Sequence, residues 1–183
     1  MAHEHSGVAR RLSTRVASPS RGVVFDRAPR YRCGQTIVAE PTILRRLEAT
    51  DHAELLALWS VAGLACKPSG RDSRAEFERQ LGLEQLAFFG LFENGRMIGS
   101  ALGTHDGRKG WVNRVAVHPS HRRCGHGHRL IQACEQWLAA SGIEIFACLI
   151  EGWNEASRQT VLAAGYQPFE GIGYFTKRLR PDV

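Results

Sequence analysis

The sequence predicts an α/β fold built on a mixed sheet of about six to seven strands with about four helices against it. Three observations carry that expectation. Residues 111–117, WVNRVAV, read as a strand; a basic glycine loop follows at 122–127, and residues 127–140 read as an amphipathic helix. Leu130, Cys134 and Leu138 recur at helical spacing there, flanked by Ile131 and Trp137. Upstream, Asn94-Gly95 sits between two apolar runs, which is a strong hairpin signal. Downstream, residues 143–150 are almost wholly apolar, as a strand covered on both faces would be.

The remaining elements follow in chain order. Residues 42–47 read as a first strand. Asp51-x-x-Glu54 has the form of a capping box, and Leu55, Leu56, Leu58, Trp59 and Ala62 make one apolar face before Gly63. Residues 64–72 form a loop, and Ser73-x-x-Glu76 opens a second helix whose Phe77 and Leu81 face inward. Residues 86–92 and 96–104 are the hairpin strands, and the polar turn 105–110 leads into 111–117. A short helix is expected at 154–164, then strands at 166–169 and 174–178. Interleaved strands and helices imply a layered α/β architecture.

Composition sets the outer bounds. A chain of 183 residues with 43% hydrophobic content suits one domain and an appendage. No apolar run approaches the roughly 20 residues needed to cross a bilayer, so no membrane association is expected. Five cysteines, Cys33, Cys66, Cys124, Cys134 and Cys148, lack CxxC spacing. An odd number so placed argues against a disulfide framework or structural zinc, and fits a reducing cytoplasm. Seven of the 24 basic and three of the 18 acidic residues lie in residues 1–40, so that stretch carries +4 of the net charge of +6. Residues 1–40 are therefore read as a basic, poorly ordered extension, and 41–183 as the folded domain. The folded part is nearly balanced and lacks the interleaved aromatics of a nucleic-acid binder, so no specific nucleic-acid partner is expected.

The loop at 122–127 marks an anion site. Strand, glycine loop and helix N-terminus together present outward backbone N–H groups carrying partial positive charge. A Walker loop would need Gly-Lys-Ser/Thr, which is absent. A dinucleotide fingerprint would need a third glycine where His128 stands. Arg122-x-x-Gly125-x-Gly127, preceded by Val115-x-Val117-x-Pro119, instead resembles the pyrophosphate loop of the GNAT (Gcn5-related N-acetyltransferase) superfamily. The resemblance spans about residues 42–178 and extends to Asn154, Ser157, Thr160, Gly165 and Tyr166 in a second signature.

That resemblance implies a GNAT fold whose strands near 111–117 and 143–150 splay apart to admit a donor, acetyl-CoA, and an amine acceptor. It implies cofactor binding by Val115, Ala116, Val117, Arg122, Arg123, Cys124, Gly125, His126, Gly127, His128, Asn154 and Ser157. It also implies that the Val117 N–H stabilises the oxyanion. The implied activity is transfer of acetyl to a primary amine of a small molecule, peptide or protein by direct attack in a ternary complex. Transfer of another acyl group, or CoA binding without catalysis, are the alternatives. A homodimer is one arrangement that the family commonly adopts.

Catalytic groups are read less directly. Glu151, at the end of the expected splayed strand, is the first candidate base, against a solvated strand-end charge. Asp106, Asp72 and His118 are further candidates. The position where the family often carries a tyrosine that protonates the leaving thiolate is Val161, which cannot donate a proton. Ser157 and Tyr174 are the substitutes, and a thiol pKa of roughly 8.5 makes unaided departure tolerable. His118, His121, His126, His128 and Cys124 have metal-binding side chains, but they sit on a loop read as a phosphate cradle, and no metal site is assigned. Lys67, Arg71, Arg108, Lys109 and Arg114 make the expected acceptor side basic, which suggests an acceptor with an acidic group beside its amine.

Overall fold

A computed structural model describes residues 41–180, and the expectations for residues 1–40 lie outside the described residues. Five strands form one sheet in the order β1-β2-β3-β4-β5. These are β1 (Ile43–Arg46), β2 (Leu86–Glu93), β3 (Arg96–His105), β4 (Gly110–Val117) and β5 (Phe146–Ala147). The first three pairings are antiparallel and β4–β5 is parallel, so the sheet is mixed. The four helices are α1 (His52–Ala62), α2 (Arg74–Leu81), α3 (His126–Ala140) and α4 (Glu155–Ala163).

Local sequence accounts for most of these boundaries. Asn94 and Gly95 take φ of 50° and 75°, the left-handed pair a two-residue hairpin turn needs. Gly63 ends α1 at φ 78°, and Ser73 accepts the Glu76 N–H to start α2. The expected capping box at Asp51 and Glu54 is not made. Asp51 instead accepts the Glu48 N–H and pairs with Arg45, while Glu54 accepts the Met97 N–H at 2.7 Å and ties α1 to β3.

Two apolar layers hold the sheet. Leu130, Ile131, Cys134 and Leu138 of α3 pack with Phe89, Leu91, Ile98 and Val112 on one face. Leu55, Leu58 and Trp59 of α1 and Phe77 of α2 pack with Phe88, Phe92, Met97 and Ala116 on the other. Inside the second layer the Trp59 indole N–H donates to the buried Ser100 hydroxyl at 3.0 Å.

The C-terminal part departs from the expectation. The apolar run 143–150 yields only the two-residue β5, with Ile145 and Leu149 more than half exposed. Residues 166–169 and 174–178 form no strand, so the described sheet has five strands rather than six or seven. Pro168, inside the first of these runs, can donate no ladder hydrogen bond. The fold is otherwise the expected α/β one.

Candidate active site

The site begins where β4 leaves β5. The two strands pair only at Gly110–Phe146 and Trp111–Ala147, with the Gly110 N–H donating to the Ile145 carbonyl. From Val112 onward that edge of β4 has no strand beside it among the described residues. This is the expected splay.

A bulge decides which backbone groups face the gap. Leu102 pairs with Asn113 but Ser100 pairs with Ala116, so Arg114 and Val115 together oppose Ala101. Arg114 takes φ 51°, a left-handed conformation uncommon for a side-chain-bearing residue. Before the bulge, even-numbered residues turn their backbone groups away from β3, as Gly110 does. After it, the His118 N–H bonds the Ile98 carbonyl, so the Val117–Gly99 pair is the one without ladder hydrogen bonds. The Val117 N–H therefore points to the gap; without the extra residue it would point into β3. Side chains switch in step: Val112 packs on the α3 face, whereas Ala116 packs on the α1 face and Val115 and Val117 return to the α3 side.

Beyond Val117, a Pro119–His121 turn leads to the loop. Arg123 and Gly125 take φ of 65° and 78°, folding it sharply ahead of α3. The Arg129 N–H donates to the Gly125 carbonyl, so the amides of His126, Gly127 and His128 lie ahead of the first intrahelical bond. Gly127 packs closely on α4: a Cβ there would lie 3.3 Å from the Thr160 methyl, a tight contact. The Arg122 guanidinium donates to the carbonyls of Val117 and Ala62. It braces the loop against β4 and α1. Cys124 donates weakly to the Arg122 carbonyl.

His126 is partly buried, and its Nδ1 is enclosed without a hydrogen-bond partner among the described residues. Burial first, then the Arg129 and His121 charges, push the imidazole below its ordinary value, and Glu93 opposes them. His121 bonds Glu93 at 3.0 Å, and His118 bonds the Ser120 hydroxyl. Among the described residues no group of three or more His, Cys, Asp and Glu is placed to hold a metal ion.

The other candidates separate. Asn154 caps α4 by accepting the Ser157 N–H at 3.1 Å, which brings these two together. Val161 packs into the core beside α3. Glu151 is exposed just ahead of α4. Tyr174 is 73% exposed in the segment that forms no strand. Asp106 accepts the N–H groups of Lys109 and Arg108, which lower its pKa. Asp72 is occupied by the Lys67 N–H and the Arg114 guanidinium. Burial raises the Cys148 thiol, which disfavours a thiolate there.

An unpaired β4 edge, an amide aimed into the gap and a left-handed loop ahead of α3 are the parts that a thioester with a diphosphate tail would need. The sequence profile of the acetyltransferase (GNAT) family matches residues 52–166. The chain belongs to the acetyltransferase (GNAT) family. Acetyl-CoA is accordingly its cosubstrate, and the observed loop and gap fit that molecule. An acetyltransferase of Sodalis glossinidius is 27% identical over 139 residues, covering 76% of this chain and 96% of that protein. One of Yersinia pseudotuberculosis is 29% identical over 113 residues, covering 62% of this chain and 79% of that protein. Among solved structures, AAC(6')-Iy with a bisubstrate analogue superposes with a TM-score of 0.63 at 22% identity, covering 75% of this chain and 98% of that one. The aminoglycoside 6'-N-acetyltransferase AAC(6')-Ih of Acinetobacter baumannii gives 0.63 at 17% identity, covering 76% and 99%. At such identities the structures share the fold. Among the described residues of this chain no helix is long and apolar enough to cross a membrane.

The bulge at Arg114 is the functional feature that the sequence reading missed. Its signal was present: Val112, Val115 and Val117 are spaced three and then two, which breaks strand alternation at one point.

Proposed function

We propose that this GNAT acetyltransferase moves acetyl from acetyl-CoA to a primary amine of a small molecule, by direct attack within a ternary complex. The observation that carries the reading is the Val117 N–H, turned by the bulge into the gap beside the α3 loop. Amides from Arg123 to His128 hold the diphosphate, and β4 backbone from Val115 to Val117 holds the pantetheine arm. Asn154 and Ser157, at the start of α4, border the same molecule. The Val117 N–H donates to the carbonyl oxygen as that oxygen gains charge, and the fixed dipole requires little reorganisation.

The amine nitrogen forms a bond to the acetyl carbon, and the carbon–sulfur bond breaks. The ammonium proton goes to Glu151, directly or through water, and the sulfur leaves as a thiolate. Val161 cannot protonate it; Ser157 is the nearer substitute in sequence, while the exposed position of Tyr174 weakens its case. The valine also supports a second reading, a CoA-binding module with little catalysis.

Several solved relatives of the fold are aminoglycoside acetyltransferases, one of them complexed with sisomicin. This chain points to a different acceptor. Asp72 and Asp106 are each engaged by local donors, whereas Lys67, Arg71, Arg108 and Lys109 remain exposed or largely so. Such a surface favours an amine that carries a carboxylate or another acidic group over a polycation.

Calorimetric titration of acetyl-CoA into the protein, followed by an amine panel read by thiol release, tests this. Saturable binding and faster turnover of amino acids or acidic amines than of aminoglycosides support it. Absence of binding refutes the enzyme reading; preference for cationic amines refutes the acceptor class; binding without turnover of any amine favours the second reading.

A further inference from the structure

We infer that Arg114 is a positioning residue that latches the acceptor-side loop, residues 64–73, onto the donor strand. The inference rests on the transferase reading above and adds how its two halves are held together. Arg114 sits at the bulge that aims the Val117 N–H, in a left-handed conformation that costs free energy for any residue bearing a Cβ. Its side chain leaves β4 on the α1 face. There it lies over the Trp59 ring at 4.4 Å, donates to the Ala65 carbonyl at 3.1 Å and pairs with Asp72 Oδ2 at 3.1 Å. The pair is well covered, with side-chain exposures of 15% and 9%.

These contacts grip the loop at both ends, at Ala65 just after α1 and at Asp72 just before α2. Asp72 relays the grip inward, because its carboxylate also accepts the Lys67 N–H at 2.7 Å and its carbonyl meets His52 Nε2 at 2.9 Å. Arg71 Nε approaches the same carboxylate at 3.7 Å but is about half exposed. Arg114 thus ties this loop to β4 by hydrogen bonds, and it does so from the residue that creates the bulge. Loop order and amide direction share one residue. The latch presents the acceptor loop at a fixed height over the donor edge, which would set acceptor affinity without contact with the reacting atoms.

Arg114→Gly separates latch from bulge, since glycine adopts positive φ freely and keeps the backbone course while losing all three side-chain contacts. Hydrogen exchange is measured on the full chain with and without acetyl-CoA, and Arg114→Lys is run beside it. Protection of amides 64–73 should fall about tenfold or more in Arg114→Gly, the scale of one charge-assisted hydrogen bond. Amides of β2 and β3 should keep theirs. Arg114→Lys should recover part of the loss by pairing with Asp72, but not the planar stacking. With the amine found in the panel, KM should rise about as much as the protection falls, with kcat and the acetyl-CoA dissociation constant within about threefold. Unchanged loop protection overturns the latch. Loss spread evenly over the sheet overturns it too, because that is a stability effect alone. A failure of the wild type to bind acetyl-CoA would count against the transferase reading, while the exchange data would still decide the latch.

Discussion

Gly99 is the position where one methyl group should be felt most. It faces Val117 across the β3–β4 ladder, and α3 packs directly over it. A Cβ there would lie 2.8 Å from Leu130 Cδ1, 3.3 Å from the Ala116 carbonyl oxygen and 3.6 Å from Leu91 Cβ. The Ala116 oxygen is backbone and cannot rotate away. Leu130 and Leu91 are both fully buried, so neither has free space to move into. Overpacking of this kind costs about 1–3 kcal/mol. For a chain of this size, each kcal/mol lowers the midpoint by about 2–4 °C, so Gly99→Ala should melt roughly 2–12 °C lower by calorimetry. Leu130→Ala alone should cost about 2–5 kcal/mol through the cavity it leaves. In that background the closest clash is gone and only the 3.3 Å approach to the Ala116 oxygen remains, so Gly99→Ala should cost clearly less than in the wild type; the two changes must couple by about 0.5–3 kcal/mol. Equal penalties for Gly99→Ala in both backgrounds would refute the reasoning, because the cost would then not come from α3 lying on Gly99.

Other outcomes follow from the same contacts. Ser100→Ala strands the buried Trp59 indole N–H and should destabilise by about 1–3 kcal/mol in urea, with little change in slope. His126 is held below its ordinary pKa, so the unfolded chain takes up the proton first as pH falls. Stability from this residue is complete above about pH 6.5 and declines below it; His126→Gln should flatten the acid side of the melting-temperature profile, and an identical profile would exclude the effect. Gly125→Glu places a side chain at φ 78° and a negative charge in the anion loop, and should abolish measurable acetyl-CoA binding in calorimetry while the protein stays folded by circular dichroism.

The parts of this protein that were legible in its sequence are those set locally. Asn94-Gly95 demands positive φ at two successive residues, so the hairpin follows from two letters. The course from Val117 through Gly125 into α3 follows from proline, glycine and helical spacing within about 20 residues, and it carries the proposed donor side of the site. What escaped depends on partners distant in sequence. The carboxylate of Glu54 looked like a cap and instead bonds Met97, 43 residues away. Residues 166–169 and 174–178 have strand composition, but a strand exists only when an edge accepts it, and composition does not encode that pairing. The bulge lay between these cases, visible as a break in the valine spacing but meaningless until β3 fixed which way each amide pointed. Arg114 and Asp72 read as a basic acceptor surface and a spare acid; in the fold they are each other's partners.

The central claim is that the β4 bulge aims the Val117 amide into a gap occupied by acetyl-CoA. Amide NMR during a titration with acetyl-CoA tests it directly, residue by residue. The account predicts large shifts at Val117 and at the amides from Arg123 to His128, with small ones at His118, whose N–H is bonded to Ile98. Saturable binding that shifts neither Val117 nor the 123–128 amides would contradict it.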